Sequence, residues 1–282
     1  MKSILLTGGT GFIGSNIIKH FSKNYKIITL VRKKKKYKRV HNNKYLYFKD
    51  PKNLKRNLNH KKFYAVIHCA THYKKNHSYS DIKKMIEANI YLGNIILENH
   101  KQLKFQKFLN FTTVWENFMA KKNNPANLYS AYKLSFSNII NYYKKKLVKV
   151  KFYNLYLSET FGDNDKRKKL FNELRRNYSK SKMTTVNSKN LRVNVINVKD
   201  VLSGVNILLS RNVKTGNYSI KNKNYFDIYK LISVFNKNRD KKFKLNWKSN
   251  KLIKEKIMTF KKIPGWFPRN SNTEDLIKYI GK

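Results

Sequence analysis

Residues 4–14 read Ile4-Leu5-Leu6-Thr7-Gly8-Gly9-Thr10-Gly11-Phe12-Ile13-Gly14, an apolar run that ends in closely spaced glycines. The run over residues 3–7 predicts a short buried strand, and apolar residues at 12, 13, 17, 18 and 21 predict a helix. The whole chain has 10 glycines in 282 residues, and four of them fall in this turn. Because glycine is otherwise scarce, the turn indicates backbone positions that need it.

The glycine spacing is related to that of dinucleotide-binding turns. In such a turn Gly8 permits the tight bend, Gly11 lets the backbone approach a pyrophosphate, and Gly14 allows close packing of helix on strand. The phosphates would lie at the helix N-terminus, against the backbone of Phe12 and Ile13, where N–H groups and the helix dipole favour negative charge. The alternative is a glycine-rich turn with no ligand.

Strand and helix signals alternate over roughly the first 160 residues. Strands are predicted over 26–31, 45–48, 63–69, 107–112 and 150–157, and helices over 12–21, 81–100 and 129–147. This alternation predicts an α/β fold, a Rossmann-type doubly wound parallel sheet. Beyond this region the pattern loosens, with helices predicted over 170–178, 201–209 and 276–280 and a strand over 191–198. We assign residues 1–158 and 192–218 to an NAD(P)-binding domain, and 159–191 and 219–282 to a smaller C-terminal substrate-binding lobe.

The end of the second predicted strand bears on cofactor choice. An acidic residue there would bind the adenosine ribose of NAD, but this chain has Val31-Arg32-Lys33. A cation at Arg32 suits a 2′-phosphate and favours NADP(H), although NAD(H) stays open because basic residues are common throughout the chain. Asp50 follows the third predicted strand and is a candidate to lie near the adenine.

A tyrosine and a lysine four residues apart on a helix form an acid/base pair. The ordinary pKa of tyrosine, about 10, is too high for proton exchange at neutral pH, and a nearby ammonium lowers it. Five Tyr-x-x-x-Lys pairs occur, at 45/49, 79/83, 129/133, 142/146 and 178/182, so the spacing alone does not select one. Only Tyr129 opens a helix directly after a strand that ends in hydroxyls, at Thr112 and Thr113, so we predict Tyr129 and Lys133 as the catalytic pair.

Six landmarks together resemble the extended short-chain dehydrogenases/reductases, in the NAD-dependent epimerase/dehydratase family of nucleotide sugars. They are Thr7-Gly8-Gly9-Thr10-Gly11-Phe12-Ile13-Gly14, Val66-Ile67-His68-Cys69-Ala70-Thr71, Asn89, the set Thr113, Tyr129 and Lys133, Val198-Lys199-Asp200-Val201, and Ile263-Pro264-Gly265-Trp266-Phe267-Pro268. A narrower resemblance, to the CDP-abequose synthase-like branch, rests on residues 30–32, 112–116, 125–133 and 160–165.

The resemblance implies a role for each matched residue. Ala70 and Thr71 would lie beside the cofactor, and Asn89 would be a structural partner behind the site. Thr113 would hydrogen-bond the reacting sugar oxygen, Tyr129 would protonate it, and Lys133 would hold the nicotinamide ribose.

Other positions depart from the family pattern or have only local support. Trp115 and Glu116 replace a common Tyr-Gly, Tyr156 replaces a usual basic residue, and Glu159 stands near the substrate where many relatives have Asn. Arg192 is a candidate to bind a substrate diphosphate from the second lobe.

The charge balance offers an interpretation from another class. With 63 Lys and Arg against 15 Asp and Glu, the net charge of +48 is typical of a nucleic-acid-binding protein. Lysine is spread along the whole chain, however, and accompanies abundant Asn, Ile, Tyr and Phe, so background composition is the favoured explanation. A nucleic-acid-binding protein on the same fold remains the less favoured hypothesis.

Partners and location follow from a few further features. The single cysteine, Cys69, excludes a disulfide framework, and the histidines show no metal-ligand spacing, so no metal is expected. No signal peptide or membrane span is evident, which predicts a cytoplasmic protein. The family resemblance implies a homodimer through helices 81–100 and 129–147.

The resemblance to the CDP-abequose synthase-like branch, together with Arg32, therefore implies a nucleotide-sugar oxidoreductase that transfers hydride between NADP(H) and C4 of a 4-keto sugar, with tyrosine as acid/base. An NAD-dependent 4-epimerase or dehydratase is the alternative, and the sugar and the nucleotide are not identified.

Overall fold

A computed structural model describes residues 1–58, 61–74, 76–237 and 239–282. The chain forms two compact units. The first unit comprises Met1–Tyr156, Val205–Ser219 and Ile257–Pro264, and the second comprises Leu157–Gly204, Ile220–Lys256 and Gly265–Lys282.

Regular elements alternate up to the sixth strand. They are β1 (Ser3–Thr7), α1 (Phe12–Phe21), β2 (Lys26–Val31), β3 (Asn43–Tyr47), α2 (Pro51–Leu58), β4 (Ala65–His68), α3 (Tyr79–Ile86), α4 (Leu92–Glu98), α5 (His100–Leu103), β5 (Lys107–Thr113), α6 (Leu128–Lys146) and β6 (Lys151–Leu157). A π-helical segment, Glu87–Tyr91, joins α3 to α4, and a 3-10 segment, Val114–Ala120, follows β5.

Shorter strands and four helices make up the remainder of the described chain. They are β7 (Glu159–Phe161), α7 (Leu170–Ser179), β8 (Thr184–Val186), β9 (Leu191–Val193), β10 (Val195–Asn197), α8 (Val198–Ser210), β11 (Gly216–Ile220), β12 (Phe226–Asp227), α9 (Ile228–Lys237), β13 (Leu245–Trp247), β14 (Ile253–Lys254) and α10 (Thr273–Ile280).

The central sheet has seven strands in the order β11-β6-β5-β4-β1-β2-β3. Strand β1 pairs in parallel with β2 on one side and with β4 on the other. The strand order thus reverses at β1, and the glycine turn that follows β1 lies at the point where doubly wound sheets bind ligands. The predicted Rossmann-type fold is confirmed.

The central strands of this sheet are buried because both faces are covered, whereas the edge strand β3 is largely exposed or half-buried. Every residue of β4 and of β5 is buried, including the polar ones. Leu5, Val66, Phe108, Phe136 and Phe152 belong to one core cluster, which joins α6 to the sheet. Helix α6 is thereby held against the strands whose carboxyl ends adjoin the glycine turn.

A buried lysine joins the start of β5 to the end of α8. Lys107 Nζ donates hydrogen bonds to the carbonyl oxygens of Leu208 at 2.7 Å, Leu209 at 2.9 Å and Arg211 at 3.1 Å. These carbonyls belong to or follow the last helical turn, where intrahelical donors run out. Burial, followed by repulsion from neighbouring lysines, lowers the pKa of Lys107 to about 8.

The second unit has its own core, and small sheets complete it. Its core cluster includes Phe161 and Phe171, with Leu231 and Phe235 of α9. The short strands pair as β7 with β10, β8 with β13, and β9 with β12 and β14. This unit is therefore built from local two- and three-stranded sheets.

Asp200 anchors the C-terminal segment of the second unit. Its buried carboxylate accepts hydrogen bonds from the backbone N–H of Arg269 at 2.9 Å, from the backbone and side chain of Asn270, and from the hydroxyl of Ser271. Trp266 Nε1 donates to the Asp200 carbonyl at 3.0 Å, and the Trp266 ring is a buried core group.

Two predicted elements are interrupted. The helix expected over 81–100 contains the π-helical segment Glu87–Tyr91, and the strand expected over 191–198 is two strands in different sheets. The break falls at Asn194, whose buried side chain donates to the carbonyl oxygens of Asn222 and Asn224. Helices α2 and α9 were not predicted.

Candidate active site

The turn after β1 has no room for side chains at two of its glycines. Gly8 has φ +70°, and a Cβ there would lie 2.6 Å from the backbone of Cys69 and Ala70. A Cβ on Gly14 would lie 2.3 Å from the carbonyl oxygen of Gly8. Gly11 N donates to the same oxygen at 2.9 Å and closes the turn. The backbone of β1, the turn and α1 therefore approach as closely as the predicted roles of these glycines require.

The N-terminus of α1 is open to an anion. Gly11 is the N-cap in an extended conformation with no side-chain cap, and the first turn, which begins at Phe12 and Ile13, carries no acidic residue. Helix N-termini present backbone N–H groups that lack intrahelical acceptors, and the dipole favours negative charge there. This end of α1 fits phosphate oxygens.

A cleft of ≈ 170 Å³ opens beside the glycine turn. It is lined by Gly8, Thr10, Gly11, Leu30, Val31, Arg32, Cys69, Ala70, Thr71, Ala88 and Leu92. Apolar and small residues predominate in this lining, and Arg32 is its charged member. Together with the helix N-terminus, these residues fit a dinucleotide, and five of the predicted cofactor-binding residues, Gly8, Gly11, Arg32, Ala70 and Thr71, line one cleft.

Asp50 has a different environment. Its Oδ1 accepts a hydrogen bond from Asn53 N at 2.7 Å, and its carbonyl accepts from Leu54 N. Asp50 therefore caps the N-terminus of α2, and it is not among the residues that line the cleft.

The floor of the cleft is fixed by hydrogen bonds behind it. Thr7 Oγ1 accepts from Ala70 N at 3.1 Å and pairs with His68 Nδ1 at 2.9 Å. Burial, and then the Lys133 charge, lowers the pKa of His68 to about 3, so this ring is neutral at physiological pH. Thr71 Oγ1 donates to Asn89 Oδ1 at 2.8 Å.

Asn89 lies in the π-helical segment and binds two elements together. Its Nδ2 donates to the carbonyl oxygens of Met85 at 2.9 Å and His72 at 3.0 Å. These contacts give Asn89 a structural role, and its predicted position behind the catalytic site stays a prediction. π-Helical segments occur frequently at functional sites, since they re-aim a side chain locally.

Lys133 lies on α6, on the side of this helix that faces the cleft wall. Its side chain is buried, with 1% of its surface exposed. Its Nζ donates to the carbonyl oxygens of Phe111 at 3.0 Å and Ala70 at 3.5 Å. Burial lowers the pKa of Lys133 to about 8, while Glu116 and then Cys69 act in the opposite direction. Burial also raises the pKa of the Cys69 thiol, which is then a neutral packing group.

Tyr129 lies in the first turn of α6, one helical turn before Lys133. Asn127 Oδ1 accepts from Ser130 N at 3.0 Å, and Ser130 Oγ accepts from Asn127 N at 3.0 Å, so a reciprocal cap fixes this end of the helix. The Tyr129 ring packs edge-on against the Tyr73 ring with centroids 5.2 Å apart.

Thr113 is the last residue of β5. Its Oγ1 accepts a hydrogen bond from Trp115 N at 3.2 Å and caps the 3-10 segment. The Trp115 ring lies 6.2 Å from the Tyr73 ring. Tyr73 thus contacts both Trp115, two residues beyond Thr113, and Tyr129. Tyr73 was not among the predicted site residues. The available signal for it was an aromatic residue in a lysine-rich loop after β4.

Glu116 was named only as a departure from the family pattern, and the structure places it deep in the protein. Its side chain is completely buried, and both carboxylate oxygens accept from Ser137 Oγ, at 3.1 and 3.2 Å. Burial raises its pKa to about 8, opposed by hydrogen bonds from Ser137 and Tyr156 and by the Lys133 charge.

The two other predicted substrate-binding residues belong to the second unit. Glu159 lies in β7 and pairs with Lys169 at 3.9 Å. Arg192 lies in β9 and pairs with Asp227 at 3.8 Å. Arg192 and Asp227 line a cleft of ≈ 580 Å³ whose other members include Lys223, Tyr225, Phe226, Lys230 and Lys254.

The described residues contain neither a cluster of metal-ligating side chains nor a membrane-spanning helix. Within residues 1–58, 61–74, 76–237 and 239–282, no three His, Cys, Asp or Glu side chains are placed to share a metal ion. In the same part of the chain, no helix combines the length and apolar character needed to cross a bilayer.

Comparisons with known proteins agree with this geometry. The model of the NAD dependent epimerase/dehydratase family matches residues 4–221. The chain is 24% identical to a CDP-abequose synthase from Yersinia pseudotuberculosis, over 73% of this chain and 73% of the relative. It is 22% identical to a CDP-abequose synthase from Salmonella muenchen, over 91% of this chain and 87% of the relative.

Among solved structures, a UDP-glucuronic acid 4-epimerase from Bacillus cereus, in complex with UDP-glucuronic acid and NAD, has a similar fold. The TM-score is 0.78 at 19% identity, with 99% of this chain and 98% of that chain covered. At this identity the likeness establishes the fold.

Proposed function

Because the chain belongs to the NAD dependent epimerase/dehydratase family, we propose that it is a nucleotide-sugar oxidoreductase that transfers hydride between NADP(H) and C4 of a 4-keto nucleotide sugar. The observation that carries the proposal is the position of Lys133. Its ammonium donates to the carbonyl of Ala70 in the cleft wall, and Tyr129 lies one helical turn away. A buried cation beside both a phenol and a dinucleotide cleft suits proton transfer coupled to hydride transfer.

Each predicted catalytic group has a defined task in this proposal. A bound nicotinamide supplies or accepts the hydride. Tyr129 gives its phenolic proton to the carbonyl oxygen during reduction and takes a proton from the alcohol in the reverse direction. The Lys133 ammonium stabilises the phenolate and holds the nicotinamide ribose. Thr113 hydrogen-bonds the same sugar oxygen and orients it toward Tyr129.

Arg32 supports the choice of NADP(H). It is exposed at the rim of the cleft, directly after β2, and β2 is followed by no acidic residue that would bind a ribose 2′-hydroxyl. We propose that its guanidinium binds a 2′-phosphate.

An Arg32→Ser variant tests this cofactor choice. We expect it to bind NADPH about 10- to 100-fold more weakly with little change for NADH, because one charge-assisted hydrogen-bonding group is lost. The matched control is Lys33→Ser, which removes the neighbouring charge outside the cleft lining. Equal losses for both variants in fluorescence titrations would assign the effect to general charge and contradict the proposal.

The remaining assignments complete the proposal. Gly11, Phe12 and Ile13 hold the pyrophosphate through the backbone at the start of α1, Gly14 keeps this helix close to β1, and Asp50 stays a prediction for the adenine. Glu159 and Arg192 contact the sugar and the diphosphate from the predicted substrate-binding lobe, and the protein acts in the cytoplasm.

A homodimer through α3, α4 and α6 is part of the proposal. Exposed apolar side chains on these helices support it, with Tyr79 92% exposed and Tyr142 59% exposed. Light scattering on the purified protein checks the oligomeric state directly.

Turnover with a panel of 4-keto nucleotide sugars tests the reaction. We expect NADPH consumption by the wild-type protein and a loss of about 100- to 10,000-fold in kcat for Tyr129→Phe, with cofactor affinity retained. Tyr132→Phe, on the same helix, is the matched control and should turn over normally. Normal turnover by Tyr129→Phe would contradict the mechanism.

The same experiment separates the alternatives. A 4-epimerase would interconvert nucleotide sugars with tightly held NAD and no external reductant. A protein whose work is nucleic-acid binding would bind RNA or DNA in a salt-sensitive way that survives loss of the Tyr129 hydroxyl.

A further inference from the structure

Glu116 is a fully buried acid in a chain that has 15 acidic residues. It lies in the 3-10 segment that leaves β5, three residues after Thr113. A buried carboxyl has a large desolvation cost unless nearby groups compensate for it. The contacts of Glu116 therefore indicate why the position holds an acid.

The compensating contacts come from the same face of α6 that carries the proposed catalytic pair. Ser137 donates to both Glu116 oxygens, at 3.1 and 3.2 Å. Ser137 follows Lys133 by four residues and Tyr129 by eight, so the three side chains share one side of the helix. Tyr156 of β6 hydrogen-bonds the same carboxyl from the sheet. The carboxyl is thus held beside the helix one turn beyond Lys133.

Lys133 faces titratable groups from several elements. His68 on β4 is held neutral, and burial keeps the Cys69 thiol protonated. Tyr156 lies on β6, where burial raises the pKa of its phenol. Glu116 is the carboxyl that acts on Lys133. Its charge raises the pKa of Lys133 and so opposes the effect of burial more than Cys69 does.

We propose that Glu116 is a positioning residue for the reaction: its carboxyl, held by Ser137 and Tyr156, sets the charge state of Lys133 and, through it, the readiness of Tyr129 to give up a proton. The proposal rests on the proposed function for the tasks of Lys133 and Tyr129. When Glu116 is ionised, its negative charge keeps Lys133 protonated as the pH rises. When Glu116 is protonated, that charge is lost and the ammonium form of Lys133 is less favoured.

A carboxyl-carbon NMR titration tests the coupling without substrate or cofactor. The chain has seven glutamates, so glutamate labelled with ¹³C at the carboxyl gives a small set of signals, and Glu116→Gln assigns the relevant one. We expect the Glu116 midpoint to lie well above the ordinary value of about 4.3. In Lys133→Met the midpoint of the Glu116 titration should rise by roughly one more pH unit, because a neighbouring cation is lost.

The control in this titration is Glu98→Gln. Glu98 accepts a hydrogen bond from Tyr143 on α6 at 2.6 Å but is an exposed acid. Its loss should leave the Glu116 midpoint in place. A Glu116 midpoint that is the same with and without the Lys133 ammonium overturns the proposal.

The pH profile of kcat/KM tests the consequence for the reaction. In Glu116→Gln the alkaline limb should move about one pH unit lower, because Lys133 loses the charge that keeps it protonated. At the pH of that limb kcat should fall about 10-fold, while KM changes less. Glu116→Asp should restore most of the wild-type profile, and Glu98→Gln should match the wild type.

Superimposable profiles for Glu116→Gln and the wild type overturn the proposal. If Glu116→Gln does not fold, Ser137→Ala replaces it, since this variant keeps the carboxyl and removes one donor. It should raise the Glu116 midpoint, and an unchanged midpoint is again contrary to the proposal. Absence of turnover with every 4-keto sugar would remove the proposed function but leave the NMR result standing.

Discussion

Two buried lysines lie at opposite ends of β5, and they differ in what surrounds them. Lys107 begins the strand and donates to three carbonyl oxygens at the end of α8. Lys133 reaches the other end of β5 from α6 and donates to the carbonyls of Phe111 and Ala70, the latter at 3.5 Å. Burial lowers the pKa of each to about 8.

The same shift in pKa therefore accompanies different environments. Lys107 has one hydrogen bond for each ammonium proton, and it lines neither of the two clefts described above. Lys133 lies against the wall of the cleft, with a phenol one helical turn away and a buried carboxyl behind it. A perturbed pKa is evidence for function only when the group also lies beside a cleft and beside other groups that could take part in a reaction.

Replacing Lys133 should have the largest effect in this comparison. We expect Lys133→Met to lower kcat by about 100- to 10,000-fold, since the ammonium that stabilises the Tyr129 phenolate is lost. The free energy of unfolding should also fall, because the carbonyl oxygens of Phe111 and Ala70 lose their donor and buried Glu116 loses a neighbouring cation. Steady-state kinetics and urea denaturation check both, and retention of more than a tenth of kcat would contradict the assignment.

Replacing Lys107 should lower the stability and leave turnover unchanged. Lys107→Met leaves three carbonyl oxygens at the end of α8 without their donor, so the free energy of unfolding should fall by about 1–3 kcal/mol. The kcat of the folded protein should be unchanged, since this end of β5 is remote from its carboxyl end. Urea denaturation measures the loss, and a variant as stable as the wild type would show that these bonds contribute nothing net.

The smallest effect is a pH dependence of stability. Lys107 has its pKa lowered from 10.5 to about 8, so between these values the unfolded chain holds the proton that the folded chain has released. Folding is then increasingly favoured as the pH rises through this window, at up to about 1.4 kcal/mol per pH unit and less where water reaches the amine. Lys107→Met lacks this rise.

The check is urea denaturation of both proteins at several pH values within that window. The stability difference between wild type and Lys107→Met should grow with pH. Parallel curves would mean that the Lys107 amine titrates in the folded protein as it does in an unfolded chain.

Much of the first unit could be predicted from local pattern. The glycine turn was identifiable from its spacing, and Gly14 is required by the close approach of the Gly8 carbonyl within the motif itself, whereas the crowding of Gly8 by Cys69 and Ala70 is a long-range contact. The pairing of Tyr129 with Lys133 followed from helical spacing and from the strand before it. Apart from that contact of Gly8, these features depend on short-range geometry, which sequence spacing records.

Features set by long-range contacts were missed. The break at Asn194 depends on hydrogen bonds to residues 222 and 224, about 30 residues away, which no periodicity records. Helix α9 has an apolar face, at Ile228, Leu231, Ile232 and Phe235, but its signal is short and lies among lysines. The abundance of lysine thus obscured the weak helix and strand signals of the second unit more than those of the first.

The burial of Glu116 was also beyond sequence reasoning. Its hydrogen-bond donors, Ser137 and Tyr156, come from a helix and a strand that follow it in the chain, and neither spacing forms a motif. Scarcity was the available signal, since acidic residues are few in this chain and Glu116 stands among apolar and aromatic neighbours.

The hydrogen bonds of Lys107 also affect the reaction of its amine with acylating reagents. Such reagents attack neutral amines, and a pKa of about 8 gives Lys107 a larger neutral fraction at mild alkaline pH than an ordinary lysine has. Its three carbonyl partners and its burial block access as long as α8 stays packed on β5. Acylation of Lys107 would therefore occur only in molecules that have opened locally, and its rate would report how often the end of α8 separates from the sheet.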